Sequence, residues 1–529
     1  MPELDLVIRR GSLVDGTGEP ARAVDVGVRG DRIVAIGDLG ASPATRVIDA
    51  RDKIVAPGFV DVQSQSVLTL LADGNSESHV RQGITTEIVG EGGAPGQITA
   101  KILAQDARYP EWLAALGLEL DWKGFAGWFE RLERQGISVN AGSFTSIDLL
   151  RAEVVGLADR PATSAEIARM RDILDATMNE GTFGLATALV YPPASHTSTD
   201  ELVAIAEVAA RRGGIYASHV RGESGRVFDA IGEAIAIGER AKVPVLVYHL
   251  KIAGRPNWGR MPEVGALIES ARARGVAISA CQYPYAAAGT GICAPIPDWA
   301  QEGGPTALVE RLRAPDTRAR IRAEMETRDA MLGRVDFDAI QIASVPSDAD
   351  PSLMGKRVSE IAKSRGQDPW ETYFRIVVDH RTNVFAIFHS MSEDDVRTAM
   401  RFPWVSIASD AEATSPSQHG LVHPRAYGTF PRVLGRYVRD EKVLPLPEAI
   451  RKMTSLPASQ LGIVDRGVVR EGAFADLVVF DPDRVADTAT YEAPHSYAIG
   501  IEQVVVNGVV TIDGGDHTGA RAGRPIRHG

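Results

Sequence analysis

Four side chains that could bind a metal ion or move a proton stand at the ends of four predicted strands. Glu91 follows TTEIVG, His219 follows IYAS, His249 follows VLVY, and Asp410 follows WVSIAS. Taken singly, such a histidine or aspartate is often a structural hydrogen-bonding residue, a turn residue or a helix cap. Together, two imidazoles and two carboxylates suit a divalent ion of the zinc type. The set therefore favours a metal or catalytic site over four separate structural roles.

Two glutamines follow a further predicted strand. The segment FVDV leads directly into Gln63-Ser64-Gln65. A glutamine amide is a weak, neutral ligand for zinc, which prefers nitrogen, thiolate or carboxylate. Buried amides still need hydrogen-bond partners. We expect Gln63 and Gln65 to point into the site and to bond Asp410, a metal-bound water or the substrate.

The elements that would position these residues alternate between strand and helix through the middle of the chain. One helix begins with Thr163 and Glu166 at capping-box spacing and ends at Gly181. Its apolar stripe has helical spacing and consists of Ile167, Met170, Ile173, Leu174 and Met178. Strand and helix alternation predicts a parallel sheet. Over residues 58–464 it fits an α/β fold of the (β/α)8 TIM-like barrel type, whose active site lies at the carboxyl ends of the strands.

Both chain ends alternate between apolar and polar residues, as antiparallel strands do. Near the C-terminus, Asn507-Gly508 stands between two valine-rich runs and predicts a hairpin. Neither end has enough strands to bury a face alone. We therefore predict that residues 1–57 and 465–529 together form one small β-sandwich domain beside the barrel.

Composition limits the classes of function. The 529 residues carry a net charge of −12 and have no dense basic run, which argues against nucleic-acid binding. No apolar run is long enough to span a membrane, and the N-terminus does not have the order of a signal peptide. Two cysteines, Cys281 and Cys293, cannot form a disulfide framework, so we predict a cytoplasmic protein. The oligomeric state stays open, with a homodimer as one alternative.

Segments along nearly the whole chain resemble the amidohydrolase superfamily, specifically its D-aminoacylase (N-acyl-D-amino-acid deacylase) group. Those that carry the resemblance include APGFVDVQSQS, QGITTEIVGEGG, YASHVRGES, YHLKIAGRPNWG, QYPY, IASDAEA and HPRAYGTFPRVLGRYVR. The resemblance implies a metal-bearing barrel, the small β domain, and a mobile insertion over the site at about residues 286–340.

The resemblance also implies a role for each site residue. His219 and His249 match the histidines of the tighter metal site, and Glu91 is the expected substitute for a bridging cysteine. Asp410 matches the general base that activates water and then protonates the leaving nitrogen. Four residues match substrate-holding positions, where the basic pair suits a carboxylate: Tyr191, Lys251, Tyr283 and Arg425. For the two tyrosines, packing in the pocket wall is the alternative.

One motif departs from the family pattern. Gln63 and Gln65 occupy the positions of a His-x-His metal motif, so we predict that the second, weaker metal position is lost. A single zinc ion would then be bound by His219, His249 and Glu91. One ion can still activate water and polarise a carbonyl.

Three functions fit these residues. The first is a one-metal hydrolase of an amide or related C–N bond in a small carboxylate-bearing substrate, such as an N-acyl-D-amino acid. The second is a repurposed barrel acting as a lyase or isomerase with little or no metal. The third is a non-catalytic relative that binds a ligand. The combined presence of Asp410, His219, His249, Lys251 and Arg425 argues against the third, and a measurement of metal content separates the first from the other two.

Overall fold

The computed structural model describes residues 3–40, 42–106, 108–346, 348–416 and 420–529. In its first half the strands are β1 Leu4–Arg9, β2 Ser12–Leu13, β3 Arg22–Ala23, β4 Asp25–Arg29, β5 Arg32–Gly37, β6 Ala44–Asp49, β7 Ile54–Pro57, β8 Phe59–Asp61, β9 Ile84–Val89, β10 Asn140–Ser143, β11 Thr145–Ser146, β12 Gly184–Ala188, β13 Ile215–His219 and β14 Val245–Val247. Those that follow are β15 Ile278–Gln282, β16 Ala288–Gly291, β17 Ile340–Ser344, β18 Phe385–Phe388, β19 Val405–Ile407, β20 Leu477–Phe480, β21 Ile501–Val506, β22 Val509–Asp513 and β23 Asp516–His517.

Strands from both chain ends share one sheet. Its order is β23-β22-β21-β20-β7-β2-β3, with β20 antiparallel to β7. A second sheet, β5-β4-β1-β6, packs against it through a common apolar core that includes Ile8, Val26 and Leu477. The predicted Asn507-Gly508 hairpin is confirmed between β21 and β22, where both residues have positive φ angles of 47° and 82°.

The strands of the middle region pair in parallel, which places their carboxyl ends at one edge. They form two runs, β10-β9-β8 and β11-β12-β13-β14-β15-β19. Just beyond β8 and β19, Ser64 and Ala411 form a parallel bridge, and the Asp410 N–H donates to the Gln63 carbonyl at 2.8 Å. The side chains of these strands share one buried cluster that includes Val60, Val62, Ile88, Phe144, Ala186, Ala217, Leu246, Tyr248, Cys281 and Ala408.

Helices connect the parallel strands and also follow β19. Their bounds are Thr69–Ala72, Glu77–Val80, Ala100–Gln105, Arg108–Ala115, Gly124–Gln135, Ile147–Val154, Ser164–Asn179, Thr199–Arg211, Val227–Ala241, Met261–Ala273, Asp298–Gln301, Pro305–Arg313, Pro315–Thr327, Val358–Arg365, Pro369–Asp379, Glu393–Arg401, Arg425–Arg432, Leu446–Met453 and Ser455–Gln460. The capping box of Thr163 and Glu166 is confirmed, and Met170, Leu174 and Met178 form the buried face of that helix. Within the described residues, no helix combines the length and apolarity needed to cross a membrane.

A small antiparallel sheet is inserted between β15 and β19. Its order is β16-β18-β17, so it joins residues 288–291 to residues 385–388. The sheet packs on helix Pro369–Asp379 through Tyr373 and Phe374. The inserted segment therefore extends well past the span of residues 286–340 expected from the sequence.

Candidate metal centre and active site

Three buried side chains converge on one point at the carboxyl ends of the parallel strands. Glu91 follows β9, His219 ends β13, and His249 follows β14. Glu91 Oε1 lies 2.8 Å from His219 Nδ1 and 3.0 Å from His249 Nε2, and the two ring nitrogens are 3.0 Å apart. Two imidazole nitrogens and one carboxylate oxygen are the donor types that zinc prefers. The cluster therefore fits a metal ion in both donor chemistry and convergence.

The electrostatics of this cluster favour a bound cation. Burial opposes ionisation of Glu91, but the charges and hydrogen bonds of His249 and His219 hold its pKa well below the ordinary value. Burial and Lys251 both lower the pKa of His249, yet the surrounding carboxylates outweigh them and raise it to about 9. Negative charge around an imidazole stabilises positive charge at this point, which a divalent ion can also supply.

Glu223 joins the histidines to Lys251. Its Oε1 lies 3.2 Å from His249 Nδ1 and 3.4 Å from His219 Nε2, and it accepts from Lys251 Nζ at 2.5 Å. Lys251 Nζ also lies 2.6 Å from His249 Nδ1. A carboxylate behind ligating histidines fixes their tautomer and orientation. Lys251, which the sequence suggested as a substrate-binding residue, is thus paired with a carboxylate inside the site.

Asp410 forms the other wall of the site. Its Oδ2 pairs with Arg425 Nη1 at 2.7 Å, and its Oδ1 accepts from Gln65 Nε2 at 3.0 Å. Arg425 also donates from Nη2 to the Gly289 carbonyl at 3.2 Å. Among the described residues, the buried Arg425 Nε has no hydrogen-bond partner. The guanidinium therefore has one donor that these contacts leave unused.

Two of these residues adopt a backbone conformation that side chains other than glycine rarely accept. The φ angle is 31° at His249 and 50° at Asp410. Left-handed backbone at such residues costs free energy and persists only where the surrounding structure imposes it. Both therefore owe their positions to the loops that follow β14 and β19.

Gln63 and Gln65 point into the site and use their amide groups as donors. Gln63 Nε2 donates to Glu91 Oε2, and Gln65 Nε2 donates to the same oxygen at 2.9 Å. The side-chain oxygen Oε1 of Gln63 accepts from the His249 backbone N–H at 3.1 Å and from Cys281 Sγ at 3.2 Å. Its oxygen is thus already occupied by two donors. Gln65 connects Glu91 to Asp410 through a single NH₂ group.

The two tyrosines border the same space. Tyr191 Oη lies 2.6 Å from Thr290 Oγ1 on β16, which connects the site to the inserted sheet. The Tyr283 ring lies 4.7 Å from the Arg425 guanidinium and 5.6 Å from Lys251 Nζ. Burial raises the pKa of both tyrosines well above the ordinary value, so each keeps its hydroxyl proton.

All ten residues chosen from the sequence thus lie around one site, and their roles stay predictions. Their hydrogen-bond partners include three side chains that were not chosen from the sequence: Glu223, Cys281 and Thr290. Glu223 offered a signal, since it stands four residues after His219 in SHVRGES. Nothing in the sequence pointed to Thr290, because its hydrogen bond with Tyr191 depends on the path of the inserted sheet.

Comparisons with known proteins agree with this geometry. The amidohydrolase family model matches residues 46–512. A D-aminoacylase of Alcaligenes xylosoxydans xylosoxydans is 35% identical over 99% of this chain and 97% of its own length.

Two solved structures superimpose along nearly the whole chain. The first is a D-aminoacylase studied for one-metal activation and second-metal attenuation of its binuclear centre, with TM-score 0.81 and 34% identity, covering 99% of this chain and 100% of the other. The second is the N-acyl-D-glutamate deacylase of Bordetella bronchiseptica with zinc and a phosphonate inhibitor that mimics the tetrahedral intermediate. It has TM-score 0.81 and 33% identity at the same coverage. The predicted α/β class and the predicted kind of enzyme, an amidohydrolase, are confirmed, and this chain belongs to the amidohydrolase family.

Proposed function

We propose that this protein hydrolyses the amide bond of an N-acyl-D-amino acid with a single zinc ion. The observation that carries the proposal is the convergence of Glu91, His219 and His249 beside the Asp410–Arg425 pair. A metal centre next to a carboxylate and a guanidinium is suited to a substrate with both an amide and a carboxylate. The relatives named for D-aminoacylase and N-acyl-D-glutamate deacylase activity support the same substrate class.

The metal would be held by Glu91, His219 and His249, with Glu223 orienting the two imidazoles. A zinc ion supplies Lewis acidity toward water and the amide carbonyl. Asp410 is the group that takes the proton of the attacking water and passes it to the leaving nitrogen. Arg425 binds the substrate carboxylate, and Lys251 adds positive charge beside it from its pair with Glu223. Tyr191 and Tyr283 line the space around the carboxylate.

A second ion is not part of this proposal, because amide N–H groups occupy the space between the two carboxylates. The Gln65 NH₂ group contacts both Glu91 and Asp410, and the Gln63 NH₂ group contacts Glu91. Although these amides carry no charge, their hydrogen bonds to the two carboxylates stabilise both anions. The glutamines therefore support a centre built for one ion.

We further propose that the parallel strands close into a (β/α)8 barrel over residues 58–464. The bridge between Ser64 and Ala411, which joins the two runs of strands, supports this closure. Residues 1–57 and 465–529 would then form the separate β-sandwich domain. The sheet that mixes β7 with β20 supports that assignment.

The test of the proposed function is hydrolysis by protein reconstituted with zinc. N-acetyl derivatives of several D-amino acids are incubated with it, and free D-amino acid is quantified beside the matching L-enantiomers. We expect release from the D-series and little from the L-series. Absence of release from every N-acyl-D-amino acid would contradict the proposal and leave a lyase, an isomerase or a binding protein.

Replacing Arg425 by lysine should raise KM strongly. The change keeps a positive charge but removes the fork that can hold a carboxylate with two hydrogen bonds. A charge-assisted hydrogen bond contributes about 1.5–3 kcal/mol, so the expected rise in KM is about tenfold or more. Steady-state kinetics on a reactive N-acyl-D-amino acid measures it.

The matched control for this variant is Arg432→Lys in the same helix. Arg432 pairs with Asp487 at 2.7 Å and lies outside the site. Its KM should stay at the wild-type value. Equal activity of the wild-type protein on substrates with and without the carboxylate would show that Arg425 does not recognise that group.

The double change Gln63→His with Gln65→His should allow a second zinc ion to bind. Two imidazoles would then replace two amide donors beside Glu91 and Asp410. We expect zinc content to double and turnover to fall by about tenfold, the lower end of the loss that is usual when groups around a metal are altered. Elemental analysis and kcat measure the two effects. Gln282→His is the control, since Gln282 ends β15 and its side chain donates to the Val396 carbonyl at 3.4 Å instead of to Glu91 or Asp410. Abolished turnover would mean that the glutamines take part in the chemistry itself.

A further inference from the structure

A carboxylate lies inside a strand that is otherwise uncharged. Strand β9 has the sequence ITTEIV, all six residues are buried, and the exposed fraction of Glu87 is 0%. Charged side chains are almost never fully buried unless they are paired. His79, also 0% exposed, supplies one partner, with Nδ1 2.8 Å from Glu87 Oε2. Neither residue belongs to the site described above.

The same carboxylate oxygen of Glu87 also accepts hydrogen bonds from two serines. Ser64 Oγ donates to Glu87 Oε2 at 2.6 Å and Ser66 Oγ donates at 3.0 Å. Burial alone would lower the pKa of His79, but the neighbouring Glu87 and Asp61 carboxylates raise it. Three donors thus converge on one buried anion. Such charge-assisted hydrogen bonds are among the stronger ones in proteins.

The two serines alternate with the two glutamines of the site. Along extended chain, successive side chains point to opposite faces. Gln63 and Gln65 reach Glu91 on the inner face, and Ser64 and Ser66 reach Glu87 on the outer face. The segment of residues 63–66 is therefore clamped between two carboxylates. A shift on one face moves the other.

Residues 63–66 also form hydrogen bonds with the segment that carries Asp410. Ser66 Oγ accepts from the Ala413 N–H at 2.8 Å, and the Gln65 N–H donates to the Ala411 carbonyl at 2.9 Å. The left-handed backbone at Asp410 needs such support from its neighbours.

We propose that Glu87, paired with His79, is a positioning residue that acts through Ser64 and Ser66 to hold the Gln65 amide against Asp410. This inference rests on the proposed function and adds residues to its machinery that do not touch the substrate. It gives a function to the buried Glu87–His79 pair, which takes no direct part in the reaction. A misplacement of about 1 Å far from the reacting atoms can cost about 100-fold in rate.

The experiment removes the two serine hydroxyl groups that connect residues 63–66 to Glu87 and leaves the Glu87–His79 pair in place. The double variant Ser64→Ala with Ser66→Ala is reconstituted with zinc, and its kcat, KM and unfolding temperature are measured. We expect kcat to fall about tenfold to 100-fold. KM should change little, because Arg425 and Lys251 are untouched. A crystal structure of the variant should show Gln65 Nε2 beyond hydrogen-bond distance of Asp410 Oδ1.

Ser143→Ala is the matched control. Ser143 is a buried serine on β10 whose Oγ donates to the Phe144 carbonyl at 2.9 Å, with no contact to residues 63–66. It should lower the unfolding temperature without lowering kcat. Glu87→Gln is the second variant: its amide oxygen can still accept from both serines but carries no charge, so kcat should fall, and by less than in the serine pair.

An unchanged kcat in a folded serine variant, with the Gln65–Asp410 contact intact, would overturn the positioning role. A wild-type protein that hydrolyses no N-acyl-D-amino acid would instead refute the proposed function. In that case the Gln65–Asp410 distance in the crystal structure of the serine variant still decides the inference.

Discussion

Zinc retention should be lost when His249 is replaced by alanine. His249 Nε2 is one of the three converging donor atoms, and its ring also contacts Glu223 and Lys251. Removal of the ring leaves one histidine and one carboxylate, which are too few for a stable zinc site. Turnover should fall to background in the same preparation, because the nearby Glu223 carboxylate faces His219 Nε2 and not the Nδ1 that points at Glu91, so it cannot replace the lost ring.

The measurement is zinc per chain by elemental analysis after dialysis, with about one ion expected for the wild-type protein. His389→Ala is the control, because His389 bonds Gln341 in the inserted sheet at 3.0 Å and takes no part in the cluster. It should retain zinc. A wild-type chain that never binds zinc at neutral pH, or a His249→Ala variant that keeps its ion, would refute the donor set.

The donor residues were predictable from sequence because strand and helix alternation fixes where parallel strands end. Glu91, His219, His249 and Asp410 each stand at such an end, and parallel pairing brings those ends to one edge. Their mutual approach therefore follows from the topology. The hairpin at Asn507-Gly508 was predictable for a different reason, since that turn type depends on two adjacent residues.

The pairing of charges could not be read from the sequence. Lys251 and Arg425 appeared as two free cations for a substrate, yet Glu223 and Asp410 each hold one of them. Lys251 and Glu223 are 28 positions apart along the chain. Whether such residues pair depends on the path of the loops that follow the strands. The contacts of Glu87 could not be predicted for the same reason. Its partners lie on the outer face of residues 63–66, which alternation alone cannot match to a particular neighbour.

The extent of the insertion was also not predictable. Strand β16 pairs with β18, which begins at Phe385. Short antiparallel strands that are so distant along the chain carry no local signal of their partner. The window of residues 286–340 ended where β17 begins and missed β18, the strand that completes the sheet.

Asp410→Asn should reduce kcat by about 100-fold to 10,000-fold. Asparagine keeps the shape of the side chain and an oxygen that can accept from Gln65 Nε2. It cannot take a proton from water or return one to the leaving nitrogen. The ion pair with Arg425 is also lost, which frees the guanidinium for the substrate carboxylate. KM should therefore stay level or fall while kcat drops.

The control is Asp148→Asn, a change at another buried carboxyl group. Burial raises the pKa of Asp148 well above its ordinary value. Its Oδ2 accepts from the Ala188 N–H and from Ser146 Oγ, both at 3.3 Å, and an asparagine oxygen can keep these contacts. Its kcat should remain near the wild-type value. Steady-state kinetics on the best D-substrate, with zinc content confirmed for each variant, separates proton transfer from loss of the metal. Unchanged activity of Asp410→Asn on every amide and cyclic substrate tested would remove the catalytic interpretation, because no other carboxylate contacts both Gln65 and Arg425 within the described part of the chain.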